Sequence, residues 1–173
     1  NALALPGGKV GVNTGIFKVA TNQDQLAAVI AHEIVHVVAN HHDERITRQM
    51  GTQVGLNVLS ALVGGAYGDA AGQTVGQLGG IGAQAGFLLP NSRQQESEAD
   101  VVGQQLMAQA GFNPAQAVDL WRNMQSASAG RSPQWMSTHP DPSNRISKLA
   151  ADAPGLQPVY QQARAAGRTP RCS

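Results

Sequence analysis

The chain of 173 residues holds one cysteine, Cys172, which excludes an intrachain disulfide framework and any Cys-rich zinc or iron–sulfur site. A lone thiol can pair only between chains. Charge is also scarce: Asp, Glu, Lys and Arg make up 13% of the residues, against roughly 25% in an average soluble domain. Disordered chains combine high charge with few apolar groups, so this composition points to a folded chain, long enough to bury a core as one domain. Twelve Lys and Arg against eleven Asp and Glu leave a net charge of +1, no electrostatic footprint for nucleic acid or an anionic membrane. No run of about 18 apolar residues occurs, so a transmembrane span is not expected. A signal-peptide pattern and an internal repeat are missing too. The chain opens at Asn1-Ala2-Leu3-Ala4-Leu5, without Met and already reading as structured, as expected of a processed or trimmed fragment.

Turn and helix signals organise the rest. Leu3-Ala4-Leu5, Pro6-Gly7-Gly8 and Lys9-Val10-Gly11-Val12-Asn13 read as strand, turn and strand, a short β unit within residues 3–19. Thr21-Asn22-Gln23-Asp24 resembles a capping box with Asp in place of Glu. The helix it opens is predicted to reach about His41, with Leu26, Ile30, Ile34 and Val37 at helical spacing. Between Arg48 and Arg93 the only charged residue is Asp69. This Gly-rich segment, 49–92, reads as a buried helical hairpin, or else as a mobile flap or a surface that touches lipid. Helical period returns from Ser92 to Ala110 and ends at Gly111-Phe112-Asn113-Pro114. Further helices are predicted over 115–127, from Asp141-Pro142 to about Ala151, and over 155–166, with a loop at Ser126–Pro133. The domain would therefore run over 1–166, with 167–173 a frayed, flexible tail.

The chemistry is concentrated in His32-Glu33-Ile34-Val35-His36, an H-E-x-x-H motif inside a predicted helix. Four residues turn through about 400°, so His32 and His36 point the same way and can share one Zn²⁺. Glu33 projects to one side, where it can serve as general base towards a water without ligating the metal. A catalytic zinc wants a third protein ligand and an open position. Glu96-Ser97-Glu98-Ala99-Asp100 offers it. On the predicted helix the apolar stripe is Ala99, Val102, Gly103, Leu106 and Ala110, with Glu96 and Asp100 on its flank and Glu98 on the other side. A core-facing carboxylate needs compensation, which makes Glu96 the better ligand and Asp100 a partner for the spare ring N–H of His32 or His36. His41 and His42, near the helix end, read as structural. His139, held out of helical conformation by Pro140, is a candidate to stabilise an oxyanion. Arg145 falls in the first turn of a helix, where its charge opposes the dipole unless an acidic partner holds it. Trp121 and Trp135 either line a cleft or fill core.

Together these residues resemble the gluzincin metallopeptidases of the CAAX prenyl protease, HtpX and BepA group, metallopeptidase family 48. Asn1 to Gly8 looks like the family's strand and turn before the motif, and Asn13-Thr14-Gly15-Ile16-Phe17 like its run into the zinc helix. Glu96 to Asp100 fits E-x-x-x-D, and Thr138-His139-Pro140 with Arg145 fits the distal H-P…R segment. The resemblance implies His32, His36 and Glu96 as ligands of one zinc, Glu33 as catalytic base and Asp100 as support. It also implies that the strand near Lys9 to Asn13 pairs with extended substrate. The soluble BepA-like branch is the nearest analogue, which implies a periplasmic location and envelope protein quality control.

The expected fold is therefore α+β and mainly α-helical, a zincin-like domain with a small β-sheet beside the motif helix. The expected activity is zinc-dependent endoproteolysis of unfolded or misassembled protein, with His139 or Arg145 helping at the oxyanion. His139 is also a candidate fourth zinc ligand that keeps the resting enzyme latent. Peripheral membrane association is left open. The alternatives are a chaperone-like or binding module with a structural or latent zinc, and a zinc hydrolase acting on something other than protein.

Overall fold

The computed structural model describes residues 2–5, 7–87, 92–127, 139 and 144–172, apart from the side chains of 42, 45, 46, 48, 49 and 80–87. Six helices and one two-stranded sheet make up these residues, the mainly helical α+β fold expected. Trp135, the loop at Ser126–Pro133 beyond Ala127, and the predicted helix start at Asp141-Pro142 lie outside them.

Strands β1 (Ala2–Leu5) and β2 (Lys9–Val12) pair antiparallel, with Ala2 opposite Val12 and Leu5 opposite Lys9. Gly7 and Gly8 turn the chain at φ of 86° and 76°, left-handed values that an L side chain rarely adopts. A 3₁₀ turn over Thr14–Lys18 then leads into α1 (Gln23–Val38), and β1 packs on α1. The cap sits one residue later than predicted. Asn22 is the N-cap and accepts from the Gln25 backbone N–H, while Gln25 reaches back to the Thr21 N–H.

The chain falls into two compact units, Asn1–Ala39 with Asn91–Ser173, and Asn40–Pro90. The helix predicted to reach His41 ends at Val38. Asn40 takes the left-handed conformation at φ 55°, and a new helix starts at His41. Asn tolerates that conformation better than most residues, and it marks the unit boundary.

The second unit is the helical hairpin predicted from the Gly-rich segment: α2 (His41–Tyr67) and α3 (Asp69–Phe87) pack on each other. Small residues allow close backbone approach, and a Cβ on Gly72 would come within 2.8 Å of Gly64 Cα. Ser60 Oγ donates to the Gly72 carbonyl at 2.6 Å. Met50, Val54, Val58 and Leu62 are all more than half exposed, because a two-helix seam lined by glycine covers only one side of each helix.

In the first unit, α4 (Arg93–Gln109) opens with a complete capping box between Ser92 and Gln95. It ends before Gly111, at φ 87°. The next helix, α5 (Gln116–Ala127), follows Pro114, and α6 (Arg145–Ala165) is continuous through Pro154 and Pro158. Two shorter helices were predicted there. Burial of Leu149, Ala153 and Ala163 along one length of helix overrides the breaks that proline favours. Beyond α6, Arg168 N–H donates to Ala163 O at 3.0 Å, and Cys172 N–H to Gln23 Oε1 at 2.9 Å.

Helices α1, α4, α5 and α6 meet around a core of Val29, Met107, Leu120, Trp121, Met124 and Leu149. Gln104, 1% exposed, ties this core together by donating to the carbonyls of Pro114 and Leu149, both at 3.0 Å. The burial pattern differs from the sequence expectation on both motif helices. On α1 the fully buried face is Gln25, Ala28, Val29, His32 and His36, whereas Leu26, Ile30 and Ile34 line an open apolar cavity of about 470 Å³. On α4 Glu96, Asp100 and Gln104 sit in the buried face, and Val102 and Leu106 are 36% exposed. Glu96 and Asp100 can be buried there because Arg145 and the histidines bond to them, and Gln104 because it donates to two backbone carbonyls.

Candidate metal centre

His32 and His36 lie one turn apart on α1, Glu96 and Asp100 one turn apart on α4, and both pairs face the same point. The approach of α1 to α4 depends on Gly103, where an added Cβ would stand 3.1 Å from His32 N and 3.3 Å from Ala31 C. Gly103→Val is expected to push α4 outward and to abolish metal binding in a protein that keeps its helical circular dichroism. Calorimetric titration with zinc checks it.

Four buried donors converge. Ligand atoms of His32, His36, Glu96 and His139 all lie within 4.8 Å of one another. His36 Nε2 is 3.1 Å from His32 Nε2, and His32 Nε2 is 3.3 Å from both His139 Nδ1 and Glu96 Oε2. Glu96 Oε1 stands 3.3 Å from His36 Nε2 and 3.0 Å from His139 Nδ1. Bonds of about 2.0–2.1 Å in a tetrahedron put ligand atoms about 3.3 Å apart, so these spacings fit zinc. The donor chemistry agrees. Asp100 Oδ1, an acceptor, lies 3.0 Å from His32 Nδ1, so that nitrogen carries a proton and Nε2 is the one turned to the carboxylate of Glu96. Between Nε2 and the carboxylate there must be a cation, either a proton on the ring or a metal ion in its place.

Glu33 is 4% exposed, and its Oε1 lies 3.4 Å from His139 Nε2, on the side of that ring away from the four donors. His139 thus reaches the cluster with one nitrogen and Glu33 with the other. Arg145 has the acidic partners that its position at a helix start called for: Nη2 lies 2.8 Å from Glu96 Oε2, and Nε donates to Asp100 Oδ2. These two nitrogens are turned to the carboxylates, and the side chain is only 3% exposed. His41 is buried but outside the cluster, in keeping with a structural reading, and Glu98 is exposed as predicted.

The electrostatics follow from this packing. Burial pushes His36 down, to about 4, against the pull of Glu96. Burial pulls on His32 too, but hydrogen bonds to Asp100 and Glu96 prevail and raise it to about 9. Burial would raise the Glu96 carboxyl, yet hydrogen bonds from His139, His32 and His36 hold it far below the usual carboxylate range.

Trp121 was left unassigned by the sequence. It is 4% exposed, and its ring lies under Arg145, with the guanidinium carbon 3.6 Å from the ring centroid.

The motif, its helix and the buried group of His32, His36, Glu96 and His139, which could hold a metal, are the features of a zincin-type metallopeptidase class. A family model described as Peptidase family M48 matches residues 1–153, and the chain belongs to that family. It is 40% identical over 161 residues to the mitochondrial metalloendopeptidase OMA1 of Schizosaccharomyces pombe, covering 91% of this chain and 44% of that protein. It is 30% identical over 171 residues to the beta-barrel assembly-enhancing protease of Escherichia coli K12, covering 94% of this chain and 34% of that one. The chain thus spans under half the length of these relatives. Similarity extends beyond the bacterial branch expected from sequence to proteins named as mitochondrial. Among the described residues no helix is long and apolar enough to cross a membrane.

Proposed function

We propose that this chain is the catalytic part of a zinc-dependent endopeptidase that hydrolyses peptide bonds in unfolded or misassembled proteins. The observation that carries the reading is the convergence of four buried donors beside a buried carboxylate that is not one of them. His32, His36 and Glu96 would hold the zinc, which when bound supplies a Lewis acid for the scissile carbonyl and makes a water acidic enough to ionise near neutral pH. Glu33 takes the proton of the attacking water and returns it to the leaving amine. Asp100 holds the His32 tautomer, and Arg145 fixes both carboxylates.

His139 completes the set as a fourth ligand in the resting state, since its Nδ1 stands as near to Glu96 and His32 as they stand to each other. Its displacement would open the position that a catalytic zinc requires. Substrate enters as an added strand on β2, whose outer edge has no strand partner among the described residues. The periplasm, with envelope quality control, is the compartment we propose, on the likeness to the beta-barrel assembly-enhancing protease. Cell fractionation checks it, and recovery in the cytosol would overturn it.

One observation favours a second reading: four protein donors make a closed set, the hallmark of structural zinc. A binding module with structural zinc would need nothing more. Elemental analysis and cleavage of an unfolded casein by wild type and His139→Ala separate the two. One zinc per chain in both is expected, with faster cleavage by the variant. If the wild-type site is open a tenth of the time, the gain is about tenfold. Zinc without cleavage in either protein would favour the binding module, and absence of zinc from both would end both readings.

A further inference from the structure

We infer that Trp121 is a positioning residue of the metal centre, acting through the Arg145 guanidinium stacked on its indole. Three layers build the arrangement. The indole lies at the bottom, on α5. The guanidinium of Arg145, the first residue of α6, lies 3.6 Å above the ring centroid. Its donors then meet Glu96 Oε2 at 2.8 Å and Asp100 Oδ2. Asp100 in turn passes the constraint on, 3.0 Å from His32 Nδ1.

A planar guanidinium offers two separate kinds of contact, hydrogen bonds in its plane and cation–π attraction on its face. Here the carboxylates take the plane and the indole takes a face. Stacking therefore sets the plane in which Arg145 presents its donors, and so where Glu96 and Asp100 can place their oxygens. All four residues are at most 7% exposed, so water does not screen the attraction. The helix dipole works against a cation at this position, which makes the electron-rich ring under it the more useful. A tryptophan that merely filled space would owe nothing to its π-electron density.

That difference is the test. Mono-, di- and trifluorotryptophan, placed site-specifically at position 121, drain the ring's negative face with almost no change of size. Zinc affinity, measured by competition with a chromophoric chelator, is expected to fall stepwise with each fluorine. By three fluorines the loss reaches about tenfold, as the site becomes less preorganised. Thermal denaturation alongside confirms that each variant folds. A flat affinity across a folded series would overturn the inference and leave Trp121 as core. The proposal rests on the zinc reading, and the two fail differently. If the unsubstituted protein binds no zinc, that reading falls; if it binds zinc and fluorination changes nothing, only the role of Trp121 falls.

Discussion

Glu33→Gln is expected to leave one zinc per chain while slowing cleavage of an unfolded protein by about 10²–10⁴-fold, the range that general-base catalysis contributes. Glu33 is next to His32 in sequence but about 100° round the helix, so its carboxylate stands beside the donor cluster and outside it. Its Oε1 lies 3.4 Å from His139 Nε2. Gln keeps the shape and the hydrogen-bonding oxygen but has no basic site for the proton of water. The ligands are untouched, and so the metal stays. Elemental analysis with a labelled-casein assay reads both halves. Loss of zinc would make Glu33 a structural member of the site. An unchanged rate would remove the base and, with it, the mechanism.

The elements legible in the sequence are those whose signals are local. Ser92 and Gln95 close a box between neighbouring turns of chain, Gly111 supplies the left-handed residue that ends α4, and Gly7-Gly8 allow the tight turn between strands. The H-E-x-x-H spacing carries its own geometry, so α1 brings His32 and His36 together whatever surrounds them. Glu96, Asp100 and His139 were readable as candidates because a zinc site must be completed, although their sequence distance from the motif says nothing of where they lie. The helix boundaries failed where tertiary structure decides. Asn40 stops α1 by taking φ 55°, which hydrophobic period cannot show, and α6 runs through two prolines because its buried face holds it.

The two motif helices failed in a more instructive way. Apolar periodicity picked out Leu26, Ile30, Ile34 and Val37 on α1, but the most deeply buried positions include both histidines, and of the four only Leu26 packs against the core cluster. A helix that must bury ligands cannot also give its whole apolar stripe to the core, and the stripe lines a cavity instead. Trp121 escaped notice for the opposite reason: tryptophan on an amphipathic helix already has an adequate explanation as core. The position of Arg145 above it, and the edge contact of its ring with His32 at 6.4 Å between centroids, show otherwise.

Glu96→Gln is expected to cost the protein its zinc, lowering affinity by more than the 10–100-fold typical of a lost outer partner such as Asp100. Glu96 is fully buried, and its two oxygens meet three imidazoles at 3.0–3.3 Å and Arg145 at 2.8 Å. It is the only anion among the four donors, and so the only one whose charge draws in a dication. The amide is nearly isosteric but neutral, and it leaves Arg145 with Asp100 as its one carboxylate among the contacts described. A hydrogen bond to a charged group is worth about 1.5–3 kcal/mol, so some loss of stability should accompany the loss of metal. Asp100 keeps the guanidinium from being buried without a counter-charge, which limits that loss. Comparison with His139→Ala then decides the ligand set. If Glu96→Gln is zinc-free and His139→Ala is zinc-replete, the working site is two histidines and a glutamate, with His139 a removable fourth. If Glu96→Gln keeps its zinc and His139→Ala loses it, three histidines hold the metal, and Glu96 belongs with Asp100 and Arg145 as part of the frame around them.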